Sequence, residues 1–252
     1  VPIDPGAWKA LPFNWDRLNA ERIFASRNRH GIPQMRPCYV EPEALAGFDE
    51  RRVGQPDGLA LYRDAGMHFF LDDYRFESLW NNPDRHRWVV ERAPVLLTPD
   101  FSMYVGWPEA LIAYQTYRNR WMGALWQSWG LEVIPTVGWV DHRTYDVCFA
   151  GLPRGGLVAV STVGIHNAEQ EARDLFIAGY QEMVRWVRPS KVLVYGEHWN
   201  RLGLQHEAPF RLYPPARLIH ARARAQAIEA ERAAARLDGH PLDVVDHTDD
   251  PW

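Results

Sequence analysis

The sequence predicts an α/β domain with a mostly parallel sheet, shaped as a complete or partial (β/α) barrel. Three observations lead there: five short apolar runs recur from residue 67 onward, segments of helical period lie between them, and polar residues collect just after each run. The runs are continuous rather than alternating, as strands buried on both faces require, and strands that alternate with helices build βαβ units.

Residues 1–66 carry Pro2, Pro5, Pro12, Pro33, Pro37, Pro42 and Pro56, which interrupt regular backbone pairing, and one helical stretch over about residues 14–29. They read as an irregular wrap around the body. The α/β core follows over 67–213, with strands expected at 67–71, 94–97, 131–137, 157–163 and 191–195. Leu111, Tyr114, Trp121, Met122, Leu125 and Trp129 keep a three-and-four spacing, with Pro108 suited to the opening turn and Gly130 to the C-terminal cap. Ala172, Leu175, Phe176, Gly179, Met183 and Val187 repeat the pattern until Pro189 stops it. Barrel closure calls for further strands in the N-terminal third and after Trp199, because the five runs alone are too few. Residues 214–252 hold Pro214 and Pro215, an Ala/Arg/Glu-rich helix over 216–237 and an acidic tail. That helix lacks a wide apolar stripe, so it is expected to project from the single domain or to meet an oligomer or protein partner.

With 252 residues, 46% of them hydrophobic, the chain can bury a core of its own. Its net charge of -4 argues against a protein that coats duplex nucleic acid. Cys38 and Cys148 are too few for a disulfide scaffold and too far apart for a metal knuckle, which fits a reducing, cytoplasmic compartment. No apolar run approaches the ~20 residues of a membrane span, and residues 1–6 show no signal pattern, so no membrane role is expected. The 12 tryptophans exceed what one core of this size needs, which places some of them in a groove or interface.

Following each run to its end gives Asp72-Asp73 with Arg75, Asp100 with Ser102 and Tyr104, Trp139 with Asp141-His142, Ser161-Thr162, and Glu197-His198. In parallel α/β folds these ends converge on one rim where ligands bind. The bland alternative is that such residues cap the next helix. Asp72, Asp73, Arg75, Asp100, Tyr104, Arg118, Trp139 and Glu197 are expected to face one pocket. Arg118 falls between Leu111 and Tyr114 on the apolar helix face, with Arg120 roughly opposite, so Arg118 needs a partner. Asp100, Asp73 or an anionic ligand would serve, and so would a purely structural buried ion pair.

The spacing of His68, His86, His166, His198 and His206 matches no zinc site, and no cofactor is expected. By ligand type alone, Asp72, Asp73, Asp100 or Glu197 could hold a divalent cation. The glycine-rich segment 151–156 precedes a strand, the wrong context for a phosphate loop. Cys148, between Val147 and Phe149, is expected to be buried rather than nucleophilic.

The segments 67–76 (MHFFLDDYRF), 80–83 (WNNP), 98–104 (TPDFSMY), 117–121 (YRNRW), 133–137 (VIPTV), 151–153 (GLP) and 158–164 (VAVSTVG) resemble the phage and mobile-element proteins of domain-of-unknown-function family 4417. The resemblance covers about residues 66–196 in order, and it implies a bacterial, phage or plasmid setting without supplying a reaction. The Pro99-Asp100-Phe101-Ser102 and Ile134-Pro135-Thr136-Val137 segments are also similar to the barrel layout of guanine-exchanging transglycosylases, although their four-ligand zinc site is lacking. That second likeness implies a strand-end aspartate attacking an anomeric carbon, with another carboxylate for proton transfer.

The expected function is therefore an enzyme acting on a nucleotide or nucleic-acid base, by glycosidic-bond cleavage or base exchange. Asp100 would be the nucleophile or general base, Asp73 or Glu197 would handle the proton, Arg75 and Arg118 would hold an anionic group, and Trp139 would stack on a ring. The alternative is a non-catalytic mobile-element protein that binds a host or phage protein or single-stranded nucleic acid. It expects Trp107, Trp126, Trp129 and Trp199 on the surface.

Overall fold

Strands β1 (Ala44–Gly47), β2 (Ala65–His68), β3 (Leu96–Leu97), β4 (Val133–Ile134), β5 (Leu157–Ser161), β6 (Lys191–Tyr195) and β7 (Phe210–Tyr213) lie side by side in the order in which the chain lays them down. Every pairing is parallel. The computed structural model describes residues 18–50, 59–165, 168–197 and 199–215. The helix expected over 216–237 and the acidic tail lie outside the described residues, as do His166 and His198. The chain divides into two compact units, Val1–Tyr213 and Pro214–Trp252.

Strands β1 to β4 form one sheet and β5 to β7 another, and among the described residues a parallel bridge from Thr136 to Ala159 joins them. Among the described residues no ladder pairs β7 with β1, so the expected barrel is not closed. Side chains span that seam instead. Tyr213 Oη donates to the Pro42 carbonyl at 2.6 Å, and Arg211 Nη2 donates to the Glu43 carbonyl at 3.0 Å.

The alternation of side chains shows the curvature. Val95, Leu97, Ile134, Leu157, Ala159, Leu193, Tyr195 and Tyr213 share one cluster with Cys38, while their chain neighbours join two other clusters. Met67, Leu96 and Val133 pack with the N-terminal helices, and Val158, Val160, Val192 and Val194 pack with Phe176, Tyr180 and Met183. One set of strand faces thus fills an interior and the other set is covered by helices, which is why the apolar runs are continuous.

Helices α1 (Glu77–Asn81), α2 (Arg87–Val90), α3 (Glu109–Ser128), α4 (Tyr145–Cys148) and α5 (Gln170–Val187) fill the crossovers. Helix α3 ends where Gly130 takes φ +84°, as its sequence position predicts. Its second half is buried nearly all round, including both Arg118 and Arg120, so it is a core helix and the expectation of Arg120 on an outer face is corrected. Helix α5 keeps a one-sided apolar stripe and stops at Arg188 in the left-handed conformation.

Two further expectations change. The helix over 14–29 does not form in its described part, 18–29, where Phe24 instead packs against the core as irregular chain. The segment expected as a wrap supplies β1, whose Ala-Leu-Ala-Gly sequence gives no strong strand signal. Strands β1 and β7 lie where further strands were expected, in the N-terminal third and after Trp199, but no ladder pairs them among the described residues.

Candidate functional site

The ends of β2 and β3 are held together by Asp73 and Ser102. Asp72 starts a one-turn 3₁₀ helix, Asp73–Arg75, and this turn aims Asp73 at the loop after β3. There its carboxylate accepts from Ser102 N at 3.2 Å and from Ser102 Oγ at 2.9 Å. Asp100, two residues before Ser102, sits in the same place. Burial pushes its carboxyl up to about 7, and the negative charge of Asp73 adds to the rise. Asp100 is thus poised between its two protonation states near neutrality, and its side chain has no hydrogen-bond partner among the described residues.

Asp100 opens onto a narrow cavity with about 10 Å³ of free volume, roughly one water molecule. Phe101, Met103, Gln115, Thr116, Asn119, Arg120, Thr136, Gly138 and Cys148 complete its lining. A buried polar network supports this wall. Thr98 Oγ1 donates to Asn119 Oδ1 at 2.9 Å and accepts from Thr136 N at 2.8 Å, while Asn119 Nδ2 donates to the Pro99 carbonyl at 2.7 Å. Arg120, 1% exposed, donates to the carbonyls of Thr136, Cys148 and Ala150 and to Asn119 Oδ1. Its charge faces carbonyl oxygens at the end of α4 rather than a carboxylate, and burial lowers its pKa to about 10.

The remaining residues of the predicted set fall in different places. Asp72 pairs with Arg75 at 3.5 Å, and Arg75 also grips Asp49, so both lie at the outer edge of the rim. Arg118 pairs with Glu77 and with Gln115 Oε1, and its guanidinium carbon lies 3.9 Å from the Phe101 ring centre and 5.1 Å from that of Trp80. Neither Asp73 nor Asp100 is its partner: the ion pair goes to Glu77, which the sequence reading did not consider. Tyr104 is exposed and meets Trp107 edge-on. Trp139 is wedged against Phe176 and against Gly179, where any Cβ would collide with the indole, so its ring is committed to the core and not to a ligand.

Glu197 follows β6, and its carbonyl accepts from Thr162 Oγ1 at 3.0 Å. No bond joins it to either aspartate among the described residues. Asp141, the other acid considered, is a local cap: it accepts from Arg143 N and pairs with Arg143 Nη2 at 2.6 Å, which lowers its pKa. Cys148 is buried and its thiol is pushed up by burial. Among the described residues no three His, Cys, Asp or Glu side chains come together as metal ligands, and Asp72, Asp73, Asp100 and Glu197 form no such group. No described helix is long and apolar enough to cross a membrane.

Sequence reasoning missed His68, which ends β2. It is 1% exposed, burial lowers its pKa to about 4, and its ring lies 4.3 Å from Tyr195 and 5.6 Å from Phe70. Phe70 N donates to its Nδ1 at 3.2 Å, so the neutral ring carries its proton on Nε2. It also missed Thr98, Asn119, Arg120 and Thr136 as one network. The available signal was an adjacent polar pair, Asn119-Arg120, set directly before the apolar Trp121-Met122 of a long helix.

A family model described as "Domain of unknown function (DUF4417)" matches residues 24–209. "Gene 1 protein" of Mycobacterium phage L5 is 39% identical over 190 residues, covering 75% of this chain and 81% of that protein. "Gene 1 protein" of Mycobacterium phage D29 is 40% identical over 189 residues, covering 75% and 68%. No solved structure matches the chain.

Proposed function

The chain belongs to the DUF4417 family, and from that premise we propose that it is a phage-type enzyme acting on a nucleotide or nucleic-acid base, with proton-transfer chemistry at a glycosidic bond. The observation that carries this reading is the Asp73–Asp100 pair: two strand-end carboxylates in contrasting environments, one fixed by Ser102 and one raised to about 7. Such a pair divides acid and anion roles between two like groups. The raised pKa suits Asp100 to donating and recovering a proton rather than to nucleophilic attack. Asp73 then supplies the negative charge, as nucleophile or as stabiliser of the developing cation. Glu197 is the second candidate for proton transfer. Arg75, at the edge, is the residue offered to an anionic group, and the exposed Tyr104 offers a ring for stacking. Arg118 serves as a strut rather than a ligand contact, since Glu77 and two aromatic rings occupy it.

The test compares nucleosides from the DNA and RNA of cells producing the wild type or Asp100→Asn, by intact mass. A nucleoside gained or lost with the wild type alone supports the reading. In parallel, a ligand at 100 times its dissociation constant stabilises the fold by about 2.7 kcal/mol, read as a thermal shift. Identical nucleosides, with no shift from nucleotides or single strands, would remove the proposal.

The binding-protein reading keeps one supporting observation, the exposed Tyr74, Trp88 and Tyr104, at 74%, 57% and 57%. Its tryptophan expectation is only partly met, because Trp126 and Trp199 are fully buried and Trp107 and Trp129 are half-buried. A nucleotide or strand that shifts the melting of the wild type and of Asp100→Asn alike, without any change in nucleosides, favours this reading.

A further inference from the structure

Thr136 is 1% exposed, lines the cavity beside Asp100, and its Oγ1 has no hydrogen-bond partner among the described residues. Its backbone is fully engaged: N–H goes to Thr98 Oγ1, and the carbonyl accepts from Asn119 and Arg120. A buried hydroxyl left without a partner is destabilising, because it has given up its hydrogen bonds to water. Two more unused groups line the same space. One is the Asp100 carboxyl. The other is Arg120, which spends four of its five N–H groups on protein acceptors and has no partner among the described residues for the second hydrogen on Nη2. The other polar liners are occupied, Thr116 Oγ1 by the Ile112 carbonyl and Gln115 by Ser102 and Arg118. A cavity of one-water size lined by Thr136, Asp100 and Arg120 can supply the two to four polar partners that a buried water needs.

We propose that this cavity is a binding site for one water molecule that bridges Thr136 Oγ1 to the Asp100 carboxyl, which makes Thr136 a positioning residue for Asp100. The inference rests on the proposed role of Asp100 and deepens it, because the water couples the proton-carrying group to the buried Thr98–Asn119–Arg120 network. The charged or titratable groups that face Asp100 or line its cavity are Asp73 from the β2 loop, Arg120 from α3, and Cys148 from α4. None of them is altered by a change at Thr136.

The experiment uses the full chain and two readouts: the Asp100 carboxyl titration by carbon NMR, and magnetisation transfer from water to the Thr136 methyl. The wild type should show a long-lived water at that methyl. Thr136→Val keeps the shape and removes the hydroxyl. It should raise the Asp100 midpoint, lowering its ionisation constant at least threefold, because the carboxylate loses a donor. Thr136→Ser keeps the hydroxyl and should stay within twofold of the wild type. The inference is overturned by the absence of a water contact at Thr136, by a Thr136→Val midpoint within twofold of wild type, or by Thr136→Ser moving as far as Thr136→Val. If Thr136→Val does not fold, the wild-type water contact and the Thr136→Ser midpoint decide. A wild-type Asp100 that titrates in the ordinary carboxylate range would defeat the proposed function whether or not the water is found.

Discussion

The two parallel sheets are built by different means. In the C-terminal one, β5 and β6 pair over five residues in unbroken register, and β6 and β7 over four. In the N-terminal one, β2 and β3 share a single pair and β3 and β4 only two. The missing backbone pairing at β3 and β4 is replaced by side chains, with Thr98, Asn119 and Arg120 bonding the strand ends to α3. The candidate aspartates stand on this second kind of scaffold. Short strands free the backbone after Leu97 and Ile134 to turn toward the rim early, and a polar network, once satisfied, fixes those turns more specifically than apolar packing does.

The largest effect should come from removing the network's centre. Arg120→Met deletes four hydrogen bonds and leaves the carbonyls of Cys148 and Ala150 bare, at about 1–3 kcal/mol for each orphaned group, while the Thr136 carbonyl keeps Asn119. Relief of the buried charge offsets part of this, so a net loss of about 4 kcal/mol is expected in urea unfolding. Leu193→Ala, inside the regular half, should cost about 3 kcal/mol through its cavity. If Arg120→Met proves as stable as the wild type, the polar scaffold is not what holds the N-terminal sheet.

The next effect is the pH dependence that the same half imposes. Asp100 has a folded pKa of about 7, above its ordinary 3.8, so the folded state binds more protons than the unfolded one between these values. Its contribution is full below about pH 4 and is lost as pH rises through about 7. His68 has a folded pKa of about 4, below its ordinary 6.5, so the unfolded state binds more protons and stability is lost as pH falls from about 6.5 to 4. The two slopes oppose each other. Asp100→Asn should expose the His68 slope, with stability falling on acidification below pH 6.5, and should gain about 4 kcal/mol over the wild type at pH 8 relative to pH 3. His68→Phe should expose the reverse slope. Thermal melts across pH 3 to 8 that show the same profile for wild type and both variants would contradict both assignments.

The same contrast explains what could be read from the sequence. Strand β6 was legible to the residue, at 191–195, and β5 nearly so, because long apolar ladders write themselves as uninterrupted apolar runs. Strands β3 and β4 were placed but overextended, since the chain is already buried at Val95 before β3 pairs and stays buried past Ile134 after β4 pairing has ended. Strand β1 was not seen because Ala44–Gly47 is made of small residues whose burial depends on partners far along the chain. For the candidate site, Asp73 and Asp100 could be placed near one another because strand ends converge by topology. The direction of a helical side chain inside a fully buried helix could not, so Arg120 was assigned the wrong face. Trp139 was read as a stacking platform because its sequence position lies on the rim, and only the absence of a side chain at Gly179, distant in sequence, turns its ring inward.

The smallest effect tests the seam where the two halves meet without a ladder. Tyr213 is 3% exposed, and its Oη donates to the Pro42 carbonyl just before β1. Arg211 pairs with Glu41 and Glu43 beside it, but these partly exposed ion pairs add little in solution. The phenol should therefore carry most of the closure. Tyr213→Phe keeps the ring in the interior cluster with Leu45 and Leu193 and removes one hydrogen bond, leaving a carbonyl that water can partly reach once the seam loosens. We expect a loss of about 1 kcal/mol and faster amide exchange in β1 and β7 than in β6, which is paired on both sides. Equal exchange in all three strands of the variant would mean that the seam is held by interior packing alone, and the two halves would then count as one continuous barrel wall.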